Sequence, residues 1–85
     1  MKNFLVNIKN DEYDIYIGRG SKWGNPYIIG RDGTRSEVIK KYYKWIQNQP
    51  QLMNSLYELD GKILGCHCKP KACHGDILLK LIYRI

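Results

Sequence analysis

The chain has 85 residues, 44% of them hydrophobic and 12% aromatic, with a formal charge of +6. That length builds one small core with little margin, and that composition excludes a disordered segment. No apolar run approaches the ~20 residues of a membrane span, and the opening Met1-Lys-Asn-Phe-Leu-Val-Asn is too broken for an export signal.

A cytoplasmic protein with no membrane partner is therefore expected. There the three cysteines stay reduced, which favours metal or functional roles over a disulfide framework.

Phe4, Val6 and Ile8 alternate with other residues, predicting a strand with that set on its buried face. Asn10-Asp11-Glu12 reads as a turn and Tyr13 to Ile17 as a second strand. Residues 18–33 hold five glycines and a proline, predicting a long loop with at most a short strand at Tyr27-Ile-Ile29. Loops that long in so small a domain usually carry function.

Thr34-Arg-Ser-Glu37 has capping-box spacing, so a helix starts there. Val38, Ile39, Tyr42, Trp45 and Ile46 share one face of it, with Lys40, Lys41 and Lys44 largely off that face. Pro50 suits the first turn of a second helix with Leu52, Met53, Leu56 and Leu59 inward. Asp60-Gly61 ends it, and Lys62 to Cys68 reads as a strand. Beyond Pro70 a last helix puts Ile77, Leu78, Leu81, Ile82 and Ile85 on its core side. The order predicts a single α/β domain over residues 1–85, a sheet of three to four strands covered by about three helices.

Residues 66–75, Cys-His-Cys-Lys-Pro-Lys-Ala-Cys-His-Gly, contain every cysteine and histidine of the chain. On a strand, Cys66 and Cys68 share one face and His67 takes the other. Cys66, Cys68, Cys73 and His74 have the chemistry of a tetrahedral zinc site, but their spacing is tighter than the two separated ligand pairs usual for zinc. No cofactor is expected, and packing as small buried hydrophobes is the simpler role for Cys66 and Cys68. Cys73 differs. At a helix start beside His74 and near Lys71 its thiolate is favoured, which makes Cys73 and His74 candidates for nucleophile and acid–base group. The same helix start, including Gly75, offers backbone N–H groups to a phosphate.

Gly18-Arg-Gly-Ser-Lys-Trp-Gly-Asn-Pro26 matches neither a Walker loop nor a dinucleotide fingerprint. Its parts still suit capture of an anion. The glycines allow close backbone approach, Arg19 and Lys22 bring charge, Ser21 and Asn25 polar groups, and Trp23 a stacking face. The competing reading is a tight loop in which Trp23 plugs the core.

Together the two motifs resemble the family known as domain of unknown function 4326, spread through bacteria and their phages. The resemblance runs through Gly18, Arg19, Ser21, Gly24, Asn25 and Pro26, then Arg35, Ile39, Tyr42, Trp45 and Ile46. It ends with Leu64, Cys66, Cys68, Pro70, Cys73, His74 and Gly75. The family often has an aromatic residue where this chain has His67. The resemblance implies a shared fold and a site, without a reaction.

The expected function is a small binding protein for a nucleotide-like or phosphorylated molecule, with Arg19, Ser21, Lys22, Trp23, Asn25, Arg35, His74 and Gly75 as ligand contacts. A phage protein sequestering a host nucleotide signal is one form of it. The alternatives are a nucleotide- or nucleoside-processing enzyme using Cys73 and His74, and a zinc-stabilised module gripping nucleic acid through Lys40, Lys41 and Lys44. Self-association stays open.

Overall fold

Leu5, Leu64 and Ile15 stand abreast on three parallel strands, β1 (Phe4–Asn7), β2 (Ile15–Tyr16) and β3 (Ile63–Cys66). The spatial order is β1-β3-β2, so the last strand in sequence lies at the centre. A computed structural model describes residues 4–69 and 71–83; Pro70, named above in the resemblance, and Ile85, assigned above to the last helix, lie outside them. The ladder runs on past the strands through Ile8 N–H to Cys66 C=O at 3.0 Å and Ile17 N–H to Gly65 C=O at 2.9 Å.

β1 and β2 lie on opposite sides of β3 yet run the same way, so residues 8–14 must return across the sheet. They pass over Gly65, where a Cβ would lie 2.7 Å from both Ile8 Cγ2 and Tyr13 Cγ. Only glycine leaves room for that return. It also corrects the expected parity of β1. Phe4 is 59% exposed, whereas Leu5 packs on the core and meets Gly75 of the last helix. Both sheet faces are covered, one by helices and one by the return segment, so apolar residues occur at both parities.

The first helix follows its start signal closely, and the second breaks well before its expected end at Asp60-Gly61. α1 (Arg35–Gln47) starts at the expected capping box: Glu37 N–H donates to Thr34 Oγ1 at 3.3 Å, and Thr34 N–H to Glu37 Oε1 at 2.8 Å. Val38, Tyr42 and Ile46 form its buried stripe. α2 (Pro50–Asn54) is a single short turn of helix that breaks at Ser55 into a 3₁₀ segment, Leu56–Leu59. α3 (His74–Ile82) buries Leu78 and Leu81.

All three helices and the three-stranded parallel sheet share one core, in which Ile17, Tyr42, Ile46, Leu59, Leu64 and Leu78 are fully enclosed. Among the described residues no helix is long and apolar enough to cross a membrane.

Candidate functional site

In an open parallel sheet the chain leaves the carboxyl ends of the strands in loops, and the crevice between those loops is the usual ligand position. Here the segments leaving β2 and β3 are the glycine-rich loop and the cysteine–histidine run. Between them lies a cavity of ≈ 280 Å³, near the lower end of the roughly 300–1,000 Å³ typical of small-molecule sites. Arg19, Asn25, Arg35, Cys73 and His74 all line it, although they come from three separate segments of the chain.

The glycine-rich loop is folded back on itself. Ser21 donates to the Gly18 carbonyl through both N–H (3.1 Å) and Oγ (2.7 Å). Gly24 lies so close to this turn that a Cβ would sit 2.8 Å from the Gly18 carbonyl oxygen. Asn25 ties the loop to α1: its Nδ2 donates to Val38 C=O at 3.2 Å, and its Oδ1 accepts from Tyr27 N–H at 2.9 Å. Asn25 therefore shapes the cavity wall with both ends of its amide.

Trp23 departs from its expected role. Its ring is 3% exposed within the core, and the buried Tyr42 hydroxyl donates to its carbonyl at 2.6 Å. It offers no stacking face. Lys22 points away as well, pairing with Glu58 at 2.9 Å. The aromatic that lines the cavity is Tyr27, followed by Ile28 and Ile29, with Val38 and Ile39 from α1. These apolar contacts were missed because Tyr27-Ile-Ile29 resembles a strand fragment, and its path is set by contacts distant in sequence.

The cysteine–histidine run is pinned at several points. Asn7 Nδ2 donates to Lys69 C=O at 2.8 Å, Lys71 N–H to Cys68 C=O at 2.7 Å, and Arg35 Nη1 to Ala72 C=O at 3.0 Å. Cys73 is the N-cap of α3, an unusual use of sulfur: Gly75 N–H donates to its Sγ at 3.3 Å. Asp76 completes the box by accepting from Cys73 N–H at 3.0 Å, and pairs with Lys69 at 3.0 Å.

The cap corrects two expectations. The N–H groups of Gly75 and Asp76 already bond to the Sγ and the carbonyl oxygen of Cys73, and are not free for a phosphate. Gly75 itself is buried against Leu5 and Ile17. Cys73 is also no ready thiolate. Burial, then the neighbouring Cys66 sulfur, push its thiol up to about 12.

The Cys73 and Cys66 sulfurs are 3.5 Å apart, and Cys68 is half-buried beside the same cavity. Among the described residues no three His, Cys, Asp or Glu side chains form a group able to hold a metal ion. His67 also lines the cavity. Its ring is exposed, with Nε2 3.1 Å from the Tyr16 hydroxyl.

The His74 side chain is buried, 8% exposed. Its Nε2 lies 2.6 Å from Ile17 C=O, and its ring meets Tyr42 edge-on at 5.0 Å between centroids. Burial holds its pKa below the ordinary value; the Ile17 bond opposes the shift and the Arg19 charge adds to it. Arg19 is exposed at the cavity, and its guanidinium has no partner among the described residues.

Fold and site together define a small parallel α/β domain with a cavity at the carboxyl ends of its strands, partly apolar and edged by two arginines. The chain belongs to the family Domain of unknown function (DUF4326), whose model matches residues 6–84. It is similar to an uncharacterised 12.4 kDa protein from the nrdA-td intergenic region of Enterobacteria phage T4, 37% identical over 95% of this chain and 78% of that protein. It is also similar to an uncharacterised protein of Acanthamoeba polyphaga mimivirus, 34% identical over 91% of this chain and 77% of that protein. No solved structure matches it significantly.

Proposed function

We propose that this protein is a small binding protein whose cavity holds a nucleotide-like or otherwise phosphorylated small molecule. The observation that carries the reading is the pairing of Arg19 and Arg35 with an apolar wall of Tyr27, Ile28, Ile29, Val38 and Ile39 around ≈ 280 Å³. Two guanidinium groups suit a phosphate, because each offers several N–H donors in a fixed plane. The apolar wall suits a flat ring. A volume this small suits a bounded molecule better than a strand that must pass through.

A thiol nucleophile is disfavoured, since Cys73 is buried, protonated and occupied as a helix cap. The relatives in a phage and a giant virus support a role during infection, and capture of a host nucleotide signal is the form of it we put forward.

The test is to titrate the protein with 5′-nucleoside monophosphates and with short single strands, at two salt concentrations. Monophosphates are expected to bind, with affinity reduced by Arg19→Ala and by Arg35→Ala. Strong, steeply salt-dependent strand binding that is lost with Lys40, Lys41 and Lys44 but indifferent to Arg19→Ala overturns the reading.

A further inference from the structure

A backbone carbonyl can only accept a hydrogen bond, so the 2.6 Å contact between His74 Nε2 and Ile17 C=O requires the proton on Nε2. In the neutral ring Nδ1 is then a bare lone pair, an acceptor and not a donor. Among the described residues the His74 ring is bonded through Nε2 and not through Nδ1, and no buried side-chain nitrogen or oxygen lacks a partner. Nδ1 is therefore reachable from outside, and the cavity is the space His74 lines. An oxyanion brought against a lone pair is repelled. An N–H or O–H is held.

We infer that His74 selects the ligand by accepting a hydrogen bond at Nδ1 from a neutral N–H or O–H group, while Arg19 and Arg35 take the anionic end. The inference rests on the cavity reading above and deepens it. The ligand class becomes a molecule with two unlike ends, a phosphate and an amide, amine or hydroxyl donor. His74 is a specificity group and not a phosphate contact. The locked tautomer makes the choice sharp, because the ring cannot move its proton to Nδ1 without breaking the Ile17 bond. Discrimination of this kind is strong where a buried polar atom is left unpaired by the wrong ligand.

The experiment is nitrogen-15 NMR of the full chain with labelled histidine and arginine at neutral pH, using adenosine 5′-monophosphate and sulfate as probes. Without ligand, His74 is expected as the Nε2–H tautomer with an unprotonated Nδ1. A proton on Nδ1, or a charged ring, overturns the inference before any ligand is added. Adenosine 5′-monophosphate is expected to shift both arginine Nε–H signals and to move the Nδ1 resonance towards its hydrogen-bonded value. Sulfate, which has no donor, is expected to move the arginines alone.

Nucleotide binding that leaves Nδ1 unmoved, or sulfate moving Nδ1 equally, overturns the inference and leaves the cavity reading standing. If neither probe moves the arginines, the cavity reading fails and the inference fails with it. Where His74→Phe folds, nucleotide affinity is expected to fall about tenfold, the loss of roughly one buried hydrogen bond, with sulfate affinity unchanged.

Discussion

Two aromatic residues four positions apart carry opposite duties, and exchanging their roles is the simplest check on the site. Trp23 is core and Tyr27 is cavity wall. Trp23→Ala is expected to cost about 3–5 kcal/mol of stability, because it empties a large buried volume beneath Tyr42. Tyr27→Ala is expected to leave stability within about 1 kcal/mol, since its ring is half-exposed, and to weaken nucleotide binding severalfold. Denaturant titration and ligand titration of the two variants separate these outcomes. Arg19→Ala belongs with Tyr27. Its guanidinium has no partner among the described residues, so its removal should leave the melting temperature unchanged while costing roughly 1.5–3 kcal/mol of affinity for a phosphorylated ligand.

At the scale of elements, helix ends do much of the positioning. The Thr34–Glu37 box sets where α1 begins, and hence where Arg35 meets the Ala72 carbonyl. Thr34→Ala is expected to cost about 1 kcal/mol in denaturant unfolding. It should also weaken ligand binding, an effect that a purely remote stability loss does not produce at temperatures well below melting.

This box was legible in the sequence, because Thr and Glu three apart have few other reasons to precede an apolar stripe. The cap of α3 was not, since cysteine rarely serves as an N-cap and Cys73 invited a chemical reading instead. The parity of β1 was misread for a different reason: period-two patterning identifies a buried face only when the other face is wet. The convergence of the two motifs was legible from their excess of polar side chains. Which aromatic turned inward was not, because the loop's path depends on Asn25 reaching Val38 and on Tyr42 reaching the Trp23 carbonyl.

For the whole molecule, the buried titrating groups predict stability that declines on both sides of neutrality. His74 has a folded pKa below its ordinary 6.5. As pH falls through that value the unfolded chain takes up a proton that the folded one refuses, so stability drops. Cys73 runs the other way. Its folded pKa is about 12 against an ordinary 9.0, so above pH 9.0 the unfolded chain loses a proton that the folded one keeps, and stability drops again. Burial pushes Tyr42 up as well, which steepens the alkaline side. Melting temperatures across pH 5 to 11, on the order of one measurement per pH unit, are expected to peak between these limbs. A flat profile from pH 7 to pH 10 contradicts the enclosed thiol.

The return of residues 8–14 across Gly65 has a kinetic meaning. β1 and β2 do not pair with each other; among the described residues each pairs with β3, which arrives some fifty residues later in sequence. No hairpin can form early to seed the sheet, and every ladder bond closes a long loop of chain, the arrangement that slows folding most. During synthesis the first sixty residues have α1 but no sheet to lay it on. A fragment ending at Gly61 is expected to show helix by circular dichroism without a cooperative melt. Folding of the intact chain should begin only when Ile63 to Cys66 slots between two strands already waiting on either side, and the crevice that receives the ligand comes into being at that same moment.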